Sequence, residues 1–274
     1  MARLQKRGLV CLFTVFIFKT IVVAAFERKA GGGLSLGAGY SGLASTDSSF
    51  CLLSNPAKCA LPHGARVDFL FRNYYQIEGF HQISAAGIFK FYGLPMGMSI
   101  SRFGNKLYSE TDVRIAFARK IVGSFYLGAS INCYWLAVKN YGQASCWGVT
   151  VAGLYQLLPQ VNAAFLLENL NEPVIGAGKE KLPLNMTMGL TYAPFKSLEI
   201  NLDLAKDSQF DFEWRAGLLY KMNRWLGIVC GFREQANTFS AGCFIAYKRS
   251  VFSYALEYHQ TIGNTHSVSY GYAF

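Results

Sequence analysis

The last ten residues, Thr265-His-Ser-Val-Ser-Tyr-Gly-Tyr-Ala-Phe274, alternate with a period of two. His266, Val268, Tyr270, Tyr272 and Phe274 fall on one face. Thr265, Ser267, Ser269, Gly271 and Ala273 fall on the other. That periodicity specifies a β-strand with one aromatic side and one small, polar side. Two arrangements satisfy it. A soluble sandwich would bury the aromatic side against a second sheet. A closed membrane barrel would turn it to lipid and pair this strand with the first one.

The same rhythm fills the chain from Gly64 onward. Ala65, Val67, Phe69 and Phe71 alternate with Arg66, Asp68, Leu70 and Arg72. Leu198, Ile200, Leu202 and Leu204 oppose Glu199, Asn201 and Asp203, and Phe252, Tyr254, Leu256 and Tyr258 oppose Ser253, Ala255, Glu257 and His259. Segments of this kind number about fourteen, joined by short connections such as Phe103-Gly-Asn-Lys106, as a meander of hairpins requires. The longest interruption, Asn169 to Pro183, is expected to be an external loop or a lid over the lumen.

The start of the chain bears on the choice. Met1 to Arg7 is basic, Gly8 to Phe18 is apolar, and Val23-Ala24-Ala25 ends the run with small residues. This is the pattern of a secretory signal peptide cleaved after Ala25. Lys19 interrupts the apolar run well short of the ~20 residues that a spanning helix needs. An exported chain that enters a membrane then does so as strands. With apolar faces that carry aromatic residues at their ends, the expected fold is all-β. It is a transmembrane antiparallel up-and-down barrel of about fourteen strands.

Composition excludes other classes. The chain holds 22 Phe and 16 Tyr with only 15% charged residues, which suits aromatic strands and not disorder. Its formal charge is +10, and Arg3, Lys6, Arg7 and Lys19 supply four of these, leaving 10 − 4 = +6 without the leader. The remaining basic residues are spread among acids, so no nucleic-acid partner is expected.

Between leader and strands lies a segment too apolar for a free linker and too short for a domain. Leu34 to Tyr40 reads as a short strand or loop. Ser45 to Asp47 would cap a short helix reaching about Leu53, which Asn55-Pro56 would end. The order Gly39-Tyr40, Gly42-Leu-Ala, Asp47-Ser-Ser, Asn55-Pro-Ala57 and Leu61 resembles the N-terminal region of the long-chain fatty-acid transporter (FadL-type) superfamily of outer-membrane barrels. It is most similar to the PorV/PorQ-like or UPF0164-like branch. Ile262-Gly-Asn-Thr-His266 and the terminal Phe274 resemble that branch too, so the likeness covers both ends of the chain.

With residues 1–25 as leader, the resemblance implies 26–63 as a hatch inside the lumen and 64–274 as the barrel. It implies passive passage of a hydrophobic ligand, held by Phe50, Leu52, Leu53, Asn55 and Pro56 and released when the hatch shifts. The alternative it implies is a non-transporting outer-membrane component or anchor of a protein secretion (type IX-like) or surface assembly, with secretion-system proteins as partners. Other partners are membrane lipid and the barrel-insertion machinery, for which Phe274 would be the assembly signal.

Catalytic chemistry is not signalled. His63, His81, His259 and His266 sit in no HExxH or zinc spacing, and no nucleophile elbow or phosphate loop occurs. No metal or cofactor is expected. His259 with Glu257 is the nearest approach to an acid–base pair, and a buried ion pair explains it as well. The lumen-facing polar set is Arg66, Asp68, Arg72, Lys90, Asp112, Arg114, Glu199, Asp203, Asp211, Glu213, Arg215 and Glu257. Its signs are mixed, which suits salt bridges bracing a lumen and not a ring selective for one ion. Cys51 and Cys59 flank the Asn-Pro turn and could staple the hatch. Cys230 and Cys243 would face each other if Ala236-Asn237 were a two-residue turn. Cys133 and Cys146 share that spacing on disagreeing faces.

Overall fold

The computed structural model of the chain describes residues 25–26, 31–47, 54–62, 64–235 and 237–274. The chain first forms strands β1 (Arg66–Asn73), β2 (His81–Phe91), β3 (Leu94–Gly104), β4 (Tyr108–Val122), β5 (Phe125–Val138), β6 (Gly142–Leu158) and β7 (Val161–Glu168). A small hairpin follows, β8 (Val174–Ile175) with β9 (Glu180–Lys181). The remaining strands are β10 (Asn185–Phe195), β11 (Leu198–Asp207), β12 (Phe212–Lys221), β13 (Leu226–Arg233), β14 (Thr238–Tyr247), β15 (Ser250–His259) and β16 (Gly263–Ala273).

Leaving out the β8–β9 hairpin, fourteen strands close into one antiparallel barrel. Each pairs with its chain neighbour, and β7 pairs with β10 across the hairpin. The seam joins β1 to β16, with Arg66 opposite Ala273, Phe69 opposite Tyr270 and Asn73 opposite His266. Beyond it, the Phe274 N–H donates to the Ala65 carbonyl at 2.8 Å. Among the described residues, closure leaves the barrel itself no edge strand, the condition for crossing hydrocarbon.

Alternation decides the faces. In β1, Arg66, Asp68, Leu70 and Arg72 are buried inside, while Phe69 and Phe71 stand on the outer surface. In β16, Thr265, Ser267 and Ser269 point inward and Tyr270 outward. The outer wall carries Ile83, Met98, Ile131, Leu190, Leu202, Trp214 and Ile228, all exposed. An apolar belt of that extent marks a surface meant for lipid or a partner. Phe91, Tyr92, Tyr155, Phe195, Tyr220, Trp225 and Tyr247 cluster where strands meet the short turns, as an aromatic girdle does.

The two ends differ. At the end where β1 begins and β16 finishes, the turns are two to four residues long. At the other, the connections include 74–80 and 169–184. Short turns lie on the inner side of outer-membrane barrels and long loops outside. We therefore call the second end the external mouth.

Two local expectations change. Gly33–Gly37 is a helical turn, α1, and not a strand or loop. Ser54 is helical and Asn55 is extended, as a residue before proline prefers, so Asn55-Pro56 ends a helix as expected and also starts the next turn. The Asn55 side chain accepts from the Ala57 N–H at 2.9 Å and caps the 3-10 turn Pro56–Ala60. Residues 45–47 are not helical, and 48–53 lie outside the described residues. The β13–β14 turn spans four residues, because Arg233 pairs with Thr238. Cys230 therefore faces Ala241 while Cys243 faces Ile228, so these cysteines are offset by two positions.

Candidate functional site

The lumen is occupied by the N-terminal segment. Helix α1 packs against β13 to β16, and the 3-10 turn at 56–60 packs against β3 to β6 on the opposite wall. Backbone lies against backbone where the wall carries glycine. A β-carbon on Gly128 would come 2.6 Å from Ala57 Cα. One on Gly231 would collide with Ala38 and Gly39, and one on Gly37 would sit 2.5 Å from Val229 Cγ1. Gly39 has φ +64, a left-handed conformation that glycine adopts without strain, and it lies against the Phe232 backbone.

Apolar contacts hold both halves. Leu43, Ala44, Ala57 and Leu61 pack on Ala152, Leu154, Ala164 and Leu166 of β6 and β7. Leu34 and Ala38 pack on Leu219, Val229 and Phe244.

Polar groups of the wall fix the segment's backbone. Arg72, fully buried, donates from Nη2 to the Gly31 carbonyl at 2.7 Å and from Nη1 to Tyr74 Oη at 3.3 Å. Its guanidinium lies 5.4 Å from the Tyr40 ring, and that of Arg233 lies 4.9 Å from the same ring. The Leu43 N–H donates to Asp203 Oδ2 at 3.0 Å, and Asn55 Nδ2 donates to the Leu43 carbonyl at 3.3 Å. Lys58, also buried, donates from Nζ to the Gly42 carbonyl at 2.9 Å, joining the two parts of the segment. Asp47 pairs with Lys221 at 2.8 Å near the inner rim.

The other lumen charges are mostly paired. Arg66 Nε reaches Asp68 at 2.9 Å, and Arg114 pairs with Glu168 at 2.7 Å and Asp112 at 3.4 Å. Glu213 bridges Arg215 and Arg233, and Arg233 also approaches Glu257 at 3.9 Å. Pairing with hydrogen bonding is what makes buried charge tolerable. Three of these pairs join residues two apart on one strand, which period-two alternation puts on the same face.

Of the residues singled out in the sequence, Arg66, Asp68, Arg72, Arg114, Asp203, Glu213 and Glu257 are buried in the lumen. Asp112, Glu199 and Arg215 are half-buried there. Asp211 departs from the expectation: it precedes β12 and is exposed at the external mouth. Lys90 is exposed near the end of β2. Asn55 and Pro56 are buried in the inner segment. Phe50, Leu52, Leu53 and Cys51 lie outside the described residues, and with them any Cys51–Cys59 staple. His259 Nδ1 accepts the backbone N–H groups of Thr261 and Ile262 at 3.1 and 3.2 Å, so it holds a turn.

The barrel holds a small cavity beside the inner segment and a larger vestibule at one mouth. A cavity of about 70 Å³ lies between Leu34, Tyr40, Leu43 and the wall residues Asn201, Asp203 and Val229. A vestibule of about 540 Å³ opens at the external mouth, with Lys206 and Asp207 at its rim and Glu213, Arg215 and Arg233 deeper. Part of the mouth is covered by the 169–184 loop. Its Ile175 and Leu182 fold inward onto Tyr134. Sequence reading did not assign this packing, and the signal for it was the apolar residues Val174, Ile175, Leu182 and Leu184 within the loop.

No family model matches the sequence, and no curated protein matches it. Solved structures do resemble the fold. The CymD monoaromatic hydrocarbon channel superposes with a TM-score of 0.66 at 14% identity, over 91% of this chain and 99% of that one. The Pseudomonas putida toluene transporter TodX gives 0.63 at 12% identity, over 89% and 98%. A Pseudomonas aeruginosa FadL homologue gives 0.61 at 10% identity, again over 89% and 98%. At such identities the likeness establishes the fold alone.

Proposed function

We propose that this chain is an outer-membrane channel through which hydrophobic small molecules pass without an energy source. In this reading residues 26–63 act as a hatch and the leader is removed after Ala25. The observation that carries it is the apolar contact of Leu43, Ala44, Ala57 and Leu61 with the inner wall. Apolar surface buried in the lumen would become a lined path if the segment shifted, whereas a purely structural brace would need only the paired charges. The solved channels that share the fold support this reading, since CymD is a monoaromatic hydrocarbon channel and TodX a toluene transporter. No comparison favours the PorV/PorQ-like placement or the secretion-anchor alternative.

The test is uptake of an apolar fluorescent probe by liposomes containing the purified protein, with no nucleotide or ion gradient. Uptake above that of empty liposomes supports a channel. Equal uptake, together with stoichiometric protein partners on purification, would point to the anchoring role.

A further inference from the structure

Ala25 and Phe26 lie at the external mouth, at the far end of the lumen from the seam's termini. The Phe26 ring stacks 4.9 Å from Tyr134 and joins the cluster of Ile175 and Leu182 beneath the 169–184 loop. The Phe26 N–H donates to Glu110 Oε2 at 3.2 Å, and Glu110 Oε1 accepts from Tyr108 Oη at 2.7 Å. The Ala25 N–H donates to Glu180 Oε1 at 3.1 Å. Two carboxylates, one on wall strand β4 and one on the loop's own strand β9, thus converge on consecutive backbone nitrogens.

Phe26 also has φ +60. For an aromatic residue inside a chain this conformation is strained, because the side chain crowds the backbone carbonyls. A first residue has no preceding carbonyl, and φ there is free of that constraint.

We propose that Phe26 is the first residue of the mature chain and that its α-ammonium is bound between Glu110 and Glu180, fastening the 169–184 loop over the mouth. Hydrolysis of the Ala25–Phe26 bond by the host's leader peptidase adds one water, leaving a carboxylate on Ala25 and an ammonium on Phe26. Glu180 loses the Ala25 N–H as donor when the leader departs. The new ammonium lies one residue away with three donors of its own. The amide hydrogen bonds to the carboxylates, charge-assisted on one side only, are replaced by contacts in which donor and acceptor carry opposite charges. Removal of the leader thus creates the group that locks the external loop.

The experiment uses the full chain expressed with its own leader and extracted from the outer membrane. N-terminal sequencing should begin at Phe26, and any other first residue overturns the proposal. Limited proteolysis within 169–184 is then compared for wild type, Glu110→Gln, Glu180→Gln and a chain with one serine inserted between Ala25 and Phe26. The insertion moves the ammonium by ~3.8 Å. Cleavage should rise about tenfold in each variant, with the insertion plus Glu180→Gln no faster than either alone, as coupled groups behave. An insertion that leaves cleavage unchanged, or effects that multiply, overturns it. The insertion and Glu180→Gln leave the β4 wall intact, so the result stays readable if Glu110→Gln fails to fold.

Discussion

Asp203 Oδ2 on the barrel wall accepts the backbone N–H of Leu43 in the lumen at 3.0 Å, with both residues buried. The contact joins the inner segment to β11 beside the apolar cluster on β6 and β7. Asp203→Ala leaves that buried N–H without its acceptor, a loss of about 1–3 kcal/mol. The inner segment should loosen while the barrel persists. Probe uptake should rise, and the heat-modifiable gel shift of the folded barrel should remain.

Arg72 holds the other half of the segment through the Gly31 carbonyl and sits beside Tyr40. Arg72→Met keeps the volume but removes the donors and strands the groups they served. A loss on the order of 3 kcal/mol is expected, as when a buried charged partner is removed. Chemical denaturation should show a lowered midpoint for the N-terminal segment, read from its protease sensitivity.

Gly128 gives a steric test. Its missing side chain makes room for Ala57, and a valine there meets the Ala57 backbone directly. Gly128→Val should drive the 3-10 turn off the wall without touching a charge. Uptake that rises as it does in Asp203→Ala would assign both effects to displacement of the segment.

Phe274 is 65% exposed, and its ring meets that of Tyr272 edge-on at 5.1 Å. It adds one backbone hydrogen bond to Ala65 beyond the last strand. Deleting it should reduce the amount of protein reaching the outer membrane while leaving uptake per assembled molecule unchanged. Normal assembly of the truncated chain would remove its role as an insertion signal.

The barrel was legible because lipid-facing and lumen-facing residues must alternate, and Phe69, Phe71, Leu202 and Trp214 stand on the outer face that alternation assigns. The lumen side carried a further signal, the acid–base pairs two residues apart at Arg66/Asp68, Asp112/Arg114 and Glu213/Arg215. What sequence alone did not settle depended on single turns or on contacts between distant segments. A four-residue turn in place of a two-residue one shifts Cys243 two positions from Cys230. Asn55-Pro56 stops a helix at Ser54 as it reads locally, while its second role, the Asn55 side chain capping the turn that follows, depends on that turn forming. The seating of Ala57 on Gly128 and Ala38 on Gly231 has no local signal at all.

The central claim, that passage requires the inner segment to move, has a reversible test. A β-carbon on Gly33 would lie 3.4 Å from Ser269 Cβ, close to the ~3.5–4.5 Å spacing of a disulfide. Gly33→Cys with Ser269→Cys, in a chain whose native cysteines are replaced by alanine, should cross-link α1 to β16. Probe uptake by liposomes should fall towards that of empty liposomes in the oxidised protein and recover on reduction. Uptake that is the same oxidised and reduced, with the cross-link verified by mass, would contradict the account.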